Sequence, residues 1–420
     1  RRDREAFQPL ETPALQALRD LVAECRFDVP DGLPKALATL VGFFAYETIG
    51  LVERIPRAAG PGLGLPDMVF VRPTVILVFD RLADELFLIA PIWPDAQAPI
   101  DRMIDAAQER LDDIAARLSS GSAHADRAQT DALPTDITAN PATTPADFAR
   151  MVAAAKDYIA AGDIFQVVLS QRFSTPFDLP PFDLYRALRR INPSPFLYFL
   201  DLPGFALIGS SPEILVRVRD GEITIRPIAG TRPRGKTSAE DVYNRESLLA
   251  DPKERAEHLM LLDLGRNDVG RAAVGGSVTV TDSYTVEFYS HVMHIVSNVI
   301  GRIAPGKDAI DALFAGFPAG TVSGAPKVRA CQIIAELETD ARGPYAGGVG
   351  YFAPDGNMDS CIVLRTAIVK DGEMHVQAGA GIVADSDPAY EQRECEAKAG
   401  ALFAAAREAV RLAGTPGYGQ

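Results

Sequence analysis

The sequence predicts an α+β protein in which antiparallel sheet is covered by helices on its outer faces. Strand-like runs occur in meander-like groups separated by Pro and Gly, not in strict alternation with helices. Amphipathic helical periodicity with clear start signals recurs before and after those groups. A length of 420 residues exceeds one ordinary hydrophobic core, so we expect two domains.

The first part of the chain, residues 1–118, is predicted to be a mixed α/β region. Leucines recur at helical spacing after Pro13, and residues 68–80 are rich in β-formers. Residues 100–118 carry the apolar stripe of an amphipathic helix. The chain begins without a methionine, and we expect an upstream segment to be missing. The polar stretch 119–143 predicts a flexible linker.

A second domain is predicted over residues 144–420. It opens with Thr144 as a helix cap, Pro145 at the first helical position and an apolar stripe that begins at Phe148. The strand candidates that follow are IFQVVLSQRF, PFLYFL, FALIGS, EILVRV, EITIRPI, SVTVTDSYTVEF, GGVGYFAP, SCIVLRTAIV and MHVQAGAGIV.

The composition excludes several classes of partner. A net charge of −14 leaves no basic excess to neutralise phosphates, which excludes nucleic acid or an anionic membrane surface as the main partner. The four cysteines lack metal-ligand spacing, and the sequence shows no signal peptide or long apolar span. We therefore expect a cytoplasmic protein that contacts neither nucleic acid nor membrane.

Two Glu-x-x-Glu pairs, Glu254/Glu257 and Glu391/Glu394, each follow an Asp-Pro by a few residues. Asp suits the helix cap and Pro the first helical position, so both pairs are predicted in opening turns, each on one helix face. If the two faces meet, four carboxylates converge on a hard cation such as Mg²⁺. The alternative is ordinary structure, because Glu254 also completes a capping box and surface Glu pairs are common.

Two further segments are rich in glycine. PIAGTRPRG, residues 227–235, follows a strand and can bring backbone and two arginines close to a ligand, or it is a turn with solvated arginines. GFPAGTVSGAPK, residues 316–327, precedes a helix. It is not a P-loop, because Ala-Pro-Lys follows Gly324, so nucleotide binding has no support.

Three other features leave function and structure open. In QAGAGIVADSDP, Gly379 and Gly381 precede the second acidic helix, where backbone N–H groups can hold a carboxylate or simply end a bulged strand. His291 and His294 are either buried and hydrogen-bonded or catalytic. Arg365 lies amid apolar strand residues, so its charge needs an anionic ligand or a structural carboxylate.

Seven ordered segments resemble the chorismate-utilising enzymes, and among these most closely the anthranilate synthase component I family. They are PIAGTRPRG, ERAEHLMLLDLGRND, HVMHIVS, GTVSGAPK, GGVGYF, QAGAGIVADSDP and EQRECEAKA. The resemblance implies an α/β sandwich with two antiparallel sheets in the core and helices outside. It also implies Mg²⁺ dependence, chorismate as substrate, and a hetero-oligomer with a glutamine amidotransferase subunit that supplies ammonia.

The resemblance also implies roles for individual residues. Glu257 and Glu394 would be the direct Mg²⁺ ligands, and the catalytic set would be His294, Thr321, Glu254 and Glu391. Substrate would be bound by Ala229, Gly230, Thr231, Tyr345, Arg365, Gly379, Ala380, Gly381 and Lys398. Among these, Arg365 and Tyr345 match the residues that bind the enolpyruvyl carboxylate, while the metal would hold the ring carboxylate.

Two positions without lysine indicate the product. Family members that make aminodeoxychorismate carry a nucleophilic lysine where this chain has Ala229, and those that make isochorismate or salicylate carry a lysine base where it has Gln166. Both absences favour amination by ammonia and loss of pyruvate to give anthranilate, a lyase reaction that opens tryptophan biosynthesis. The alternatives are an aminodeoxychorismate synthase component I that works without the lysine, and a non-catalytic homologue.

Regulation by tryptophan is a further implication of the resemblance. Part of the family's tryptophan site is recognisable in NPSPFLYF, as Asn192, Pro193, Pro195, Phe196 and Leu197. The L-L-E-S element that completes this site is absent from the sequence, so we expect an active enzyme that tryptophan inhibits weakly. No G-x-C-x-G motif of an amidotransferase occurs, so use of glutamine would need a separate subunit.

Overall fold

The strands and helices described below come from a computed structural model that covers residues 8–34, 37–93, 98–120, 137–289 and 292–414. The helices are α1 Ala14–Glu24, α2 Ile100–Ser119, α3 Pro145–Ala160, α4 Pro181–Ile191, α5 Ser238–Ala250, α6 Pro252–Ala272, α7 Ala309–Gly316, α8 Lys327–Leu337 and α9 Pro388–Ala413. Short 3₁₀ helices span Tyr46–Leu51 and Gly320–Val322.

The strands begin in the N-terminal region and continue to the last helix. They are β1 Leu40–Phe44, β2 Met68–Val71, β3 Ile76–Asp80, β4 Glu85–Ile89, β5 Asn140–Pro141, β6 Gln166–Pro176, β7 Phe196–Leu202, β8 Phe205–Ser211, β9 Ile214–Arg219, β10 Glu222–Ile225, β11 Ile228–Pro233, β12 Thr279–Phe288, β13 Val292–Arg302, β14 Gly324–Ala325, β15 Gly348–Phe352, β16 Met358–Ile362, β17 Thr366–Lys370 and β18 Glu373–Ile382.

Within the described residues these strands form two large antiparallel sheets and one hairpin. The larger sheet has the order β11-β13-β10-β9-β16-β15-β1-β2, with β12 paired to β13. The smaller sheet has the order β14-β6-β18-β17-β8-β7, with β5 paired to β6, and β3 and β4 form the hairpin. Both sheets contribute side chains to one hydrophobic core, for example Leu169 on β6 and Val216 on β9. The predicted α+β sandwich is confirmed.

Helix starts lie where the capping signals place them. Thr144 Oγ1 accepts the backbone N–H of Asp147 at the start of α3, with Pro145 in its first turn. The amphipathic helix predicted over residues 100–118 is α2. No helix in the described ranges combines the length and the apolar character that a membrane span requires.

Residues 68–80, which are rich in β-formers, form two strands, β2 and β3. Two segment predictions were wrong in detail. The run SCIVLRTAIV is not one strand, because β16 lies in the larger sheet and β17 in the smaller one. The chain crosses between them at Arg365, whose φ of 47° lies in the left-handed region and interrupts the strand. PIAGTRPRG is not a loop: most of it is β11, which pairs with β13.

Residues before the predicted linker are built into the larger sheet. β1 pairs with β15, with Val41 opposite Tyr351, and with β2 on its other side. The ring of Phe44 packs against Phe317 with centroids 5.1 Å apart. Most of the predicted linker, 119–143, lies outside the described residues, and the division into two domains stays a prediction.

Candidate active site

The two acidic helices begin as the Asp-Pro pattern predicts. The Asp251 carboxylate accepts hydrogen bonds from the backbone N–H groups of Lys253 (2.9 Å) and Glu254 (3.3 Å) at the start of α6. Asp387 accepts one from Tyr390 (2.8 Å) at the start of α9. Because these caps satisfy N–H groups that have no partner inside the helix, both glutamate pairs lie in the opening turns.

Carboxylates of the two helices come close enough for their charges to interact. Burial raises the pKa of Glu257, and the negative charges of Glu254 and Glu394 raise it further. Glu391 is only 6% exposed, and burial, followed by the charge of Glu394, raises its pKa against a hydrogen bond from Ser386. The two glutamate faces therefore meet, and their repulsion favours a cation or a proton between them.

Basic side chains neutralise two of the four glutamates. Arg232 Nη1 donates to Glu254 Oε1 at 2.8 Å. Lys398 Nζ lies 2.7 Å from Glu394 Oε1 and donates to the Gly379 carbonyl oxygen at 2.9 Å. In the described ranges, no group of three acidic, histidine or cysteine side chains stands ready to hold a metal. A metal between the helices would have to draw Glu254 and Glu394 away from these partners.

His294, on β13, faces a bulge in β11. Its Nδ1 lies 3.0 Å from the Gly230 carbonyl oxygen and 3.1 Å from Thr231 Oγ1. Since a carbonyl only accepts, Nδ1 carries the proton of the neutral ring and Nε2 keeps its lone pair. Burial lowers the pKa of His294, which keeps the ring neutral near pH 7. Ala229, directly before the bulge, is buried and offers only a methyl group to this wall.

Sequence reasoning missed Glu213, which lies beside Thr321. Thr321 Oγ1 donates to Glu213 Oε2 at 2.9 Å. Burial raises the pKa of this carboxyl, while the Thr321 hydrogen bond and the charges of Arg365 and Lys398 lower it. A signal was present in GSSPEILV, where an acidic residue stands between two strands that become buried.

Arg365 presents a guanidinium without a partner. Its backbone carbonyl accepts the N–H of Ser210 at 3.2 Å, which holds the crossover between the sheets. Its guanidinium makes no hydrogen bond or ion pair with any described residue, and burial lowers its pKa, with Glu213 as the opposing charge. A partly buried cation without a hydrogen-bonded partner is suited to an anionic ligand.

Two glycines of β18 allow close approach of neighbouring side chains. A methyl group at Gly379 would lie 2.7 Å from the Tyr345 hydroxyl oxygen, and one at Gly381 would lie 2.4 Å from Gln166 Nε2. Ala380 between them is fully buried. The Gln166 Oε1 atom is buried without a hydrogen-bond partner. The glycines lie in β18, as the strand candidate MHVQAGAGIV predicts, and they approach the side chains of Tyr345 and Gln166.

The central site is defined here by Glu257, Glu394, His294, Glu213 and Arg365. It combines carboxylates whose charges interact, a neutral imidazole with a free nitrogen, a carboxyl whose pKa burial raises, and an arginine without a partner among the described residues. These groups can hold an anion, donate a proton and accept a proton.

The residues of the predicted tryptophan site lie at the turn between α4 and β7. Asn192 caps α4, and its Nδ2 atom is buried without a hydrogen-bond partner. Pro193 lies in the turn, Phe196 and Leu197 begin β7, and Pro195 and Phe196 line a cavity of about 370 Å³. His291 lies outside the described residues.

Comparisons with known proteins agree on one family. The family described as "chorismate binding enzyme" matches residues 3–404. The chain is 52% identical to anthranilate synthase component 1 of Cereibacter sphaeroides, over 99% of this chain and 83% of that protein. It is 49% identical to the protein of that name from Thermus thermophilus, over 90% and 79%. It is similar to the crystal structure of anthranilate synthase component I from Streptococcus pneumoniae TIGR4, with a TM-score of 0.82, 39% identity, and coverage of 94% and 86%.

Proposed function

The chain belongs to the chorismate binding enzyme family, as an anthranilate synthase component 1, and from this premise we propose that the central site binds chorismate and aminates it with ammonia. The observation that carries the proposal is the Arg365 guanidinium, which makes no hydrogen bond or ion pair with any described residue and lies close enough to His294 and Glu213 for their charges to interact. Chorismate brings two carboxylates, and a free arginine binds one of them in a charge-assisted hydrogen bond.

The enolpyruvyl carboxylate is assigned to the Arg365 side of the site. The Tyr345 hydroxyl approaches β18 at Gly379, and Gly381 lies on the same strand. Thr231 on β11 and Thr321 on the 3₁₀ helix Gly320–Val322 are assigned to the ring.

The ring carboxylate is assigned to the glutamate end, with Mg²⁺ as its partner. The chemistry of the donors suits the ion, because Mg²⁺ prefers carboxylate oxygens and the negative charges of Glu254 and Glu394 already raise the pKa of Glu257. Glu257 and Glu394 would hold the metal, with Glu254 and Glu391 nearby. When bound, Mg²⁺ supplies positive charge that holds a carboxylate.

The chain's own residues supply the proton transfers. Ammonia adds to the ring carbon next to the carboxylate-bearing carbon, and the distal hydroxyl leaves as water with a proton that we assign to Glu213, because burial raises the pKa of this carboxyl. His294, neutral with Nε2 free, accepts the ring proton that is lost as pyruvate departs. The products, anthranilate, pyruvate and water, balance chorismate and ammonia.

Ammonia is the proposed nucleophile because no lysine stands at position 229 or 166, where other family members carry a reactive one. Ala229 presents a methyl group, and the Gln166 amide cannot act as a base. As a component 1, the chain would receive ammonia from a glutamine amidotransferase subunit, forming a hetero-oligomer. We also propose that tryptophan binds next to Asn192, whose unpartnered amide borders the turn into β7.

Turnover by the purified chain tests the proposal. With chorismate, Mg²⁺ and ammonium salt, we expect blue-fluorescent anthranilate to form, and glutamine to replace ammonium only when the amidotransferase subunit is added. Release of p-aminobenzoate after addition of aminodeoxychorismate lyase would instead support the alternative activity, that of an aminodeoxychorismate synthase component I. Absence of any product would support a non-catalytic homologue. Titration with tryptophan in the same assay measures inhibition.

A further inference from the structure

Arg342 is a buried arginine three residues before Tyr345, and each of its three guanidinium nitrogens donates a hydrogen bond. It is 3% exposed. Nε and Nη2 donate to the two oxygens of Glu338 at 2.8 and 2.6 Å. Nη1 donates to the Val322 carbonyl oxygen at 2.8 Å, and Nη2 also donates to that of Val168 at 2.7 Å. The guanidinium plane is therefore fixed on three sides.

These acceptors belong to elements that form the central site. Val322 ends the 3₁₀ helix that carries Thr321, and Val168 lies on β6, two residues beyond Gln166. Glu338 also accepts the backbone N–H of Ser170 on β6 at 2.7 Å. The position of Arg342 is thus tied to the walls of the site and not to the solvent-exposed surface.

Two tyrosine rings lie near the fixed guanidinium. Its Cζ lies 4.7 Å from the ring centroid of Tyr46 and 5.5 Å from that of Tyr345. Guanidinium–aromatic contacts at such distances are attractive and help to hold a ring in place. The hydroxyl end of the Tyr345 ring reaches β18, because a methyl group at Gly379 would lie 2.7 Å from the hydroxyl oxygen.

The N-terminal region holds the same segment from behind. Glu47 Oε1 and Oε2 accept the backbone N–H groups of Arg342 (2.7 Å) and Gly343 (3.0 Å), and the Tyr46 N–H donates to the Gly343 carbonyl oxygen (2.8 Å). Glu47 and the segment 341–344 together line a cavity of about 470 Å³. The hydrogen bonds to Glu47 and Tyr46 therefore fix the backbone of this segment at the cavity wall.

We propose that Arg342, held by Glu338 and Glu47 and in contact with the rings of Tyr46 and Tyr345, is a positioning residue that sets the Tyr345 hydroxyl for contact with the substrate carboxylate. This proposal rests on the proposed function. It makes Arg342 act through Tyr345 without touching chorismate.

A double-mutant cycle in the ammonia-dependent assay tests this. Lysine keeps the charge but loses the planar fork, so Arg342→Lys should raise the KM for chorismate about tenfold and change kcat little. Tyr345→Phe should give a similar rise. If Arg342 acts through the Tyr345 hydroxyl, Arg342→Lys should add less than about twofold in the Tyr345→Phe background. The matched control is Arg329→Lys, which also loses an ion pair and a ring contact, with Asp163 and Tyr158.

A milder pair of variants covers the case that Arg342→Lys does not fold. Tyr46→Leu removes one of the two ring contacts, and Tyr46→Phe keeps the ring while removing the hydroxyl, which lies beside the Cys331 thiol and not on Arg342. We expect Tyr46→Leu to raise KM about threefold and Tyr46→Phe to leave it unchanged.

Three outcomes overturn the positioning role. They are multiplicative effects of Arg342→Lys and Tyr345→Phe, a lower thermal midpoint of Tyr46→Leu with unchanged KM, and an equal rise in KM for Arg329→Lys. Failure of the proposed function is distinguishable, because it would show as no anthranilate from the unaltered chain.

Discussion

At the scale of single residues, the negative charges of Glu254, Glu257 and Glu394 repel one another, while basic side chains neutralise part of this charge. Glu257 is the member whose charge is most clearly opposed, by burial and by Glu254 and Glu394. Glu254 and Glu394 each already contact a basic side chain. The charge balance of the cluster, and not the presence of carboxylates alone, is therefore what a bound ion would change.

Replacing Glu257 by Gln should weaken the binding of Mg²⁺ to the glutamates. Removal of one ligand charge should raise the Mg²⁺ concentration for half-maximal activity about tenfold or more, with little change in thermal midpoint. Glu408→Gln, near the far end of α9, is the control, because Glu408 pairs only with Arg411 there. An unchanged magnesium half-saturation in Glu257→Gln would refute the metal assignment.

The lowered pKa of His294 predicts where kcat/KM falls on the acid side of its pH profile. Burial lowers its pKa from 6.5, so the ring stays neutral above that value and becomes protonated only as the pH falls through the lowered pKa. Protonation fills Nε2, so kcat/KM should fall on the acid side with an apparent pKa below 6.5. In His294→Gln, activity should drop and this limb should disappear. A limb of the same midpoint in the variant would assign it to another group.

At the scale of elements, the packing of β18 depends on the absence of a side chain at Gly379. A methyl group at Gly379 would meet the Tyr345 hydroxyl at 2.7 Å and the Leu169 carbonyl oxygen at 2.8 Å, and the latter is backbone and cannot step aside. Gly379→Ala should therefore cost about 1–3 kcal/mol of stability and most of the activity.

A matched glycine is available in α9. Gly400 has no atom within 4 Å of an added methyl group, and alanine is the better helix former, so Gly400→Ala should be neutral or stabilising by up to about 1 kcal/mol. Urea unfolding of both variants makes the comparison. Equal stabilities would show that β18 relaxes more easily than its contacts indicate.

A buried ion pair joins α6 to α8. Lys327 Nζ lies 2.8 Å from Asp268 Oδ1, and both side chains are nearly inaccessible. Lys327→Met leaves Asp268 buried and unpaired, and we expect a loss of about 3–5 kcal/mol in urea unfolding. Adding Asp268→Asn should recover much of that loss. A double variant as unstable as the single one would mean that the methionine itself disrupts packing.

Helix starts were predictable from sequence, while the partners of buried charges were not. Thr144 and Asp251 signal a cap locally, because the groups they bond lie within three residues. Arg342 also donates to the carbonyls of Val322 and Val168, which are distant in sequence, so no local pattern marks its role, and Glu213 was signalled only by its place between two strands. Arg365 was taken as mid-strand because an arginine with left-handed φ has no local signature.

At the scale of the whole molecule, the N-terminal region and the larger sheet form one structure. Phe44 is 2% exposed and packs against Phe314 and Phe317 from α7 and the residue after it. Tyr46 contacts Arg342. Because β1 lies between β2 and β15, removal of this region would expose both a sheet edge and part of the core.

A fragment of residues 144–420 tests the predicted domain division. We expect it to lack a cooperative unfolding transition and to bind a hydrophobic dye, because β15 loses β1, one of the two strands that it pairs with. Adding a separately produced 1–118 fragment should restore the transition in part. Cooperative unfolding of the fragment at the midpoint of the full chain would show instead that the second domain is independent.

The crossover at Arg365 limits which amino acids the position can accept. Its backbone needs a conformation that glycine adopts most readily, while its side chain is the partnerless cation of the central site. Glycine would relieve the backbone and remove the charge, and lysine would keep the charge and the strain. The backbone conformation and the side-chain charge therefore both restrict which amino acids position 365 can accept. Substitutions in the surrounding strands have to remain compatible with an arginine at this position.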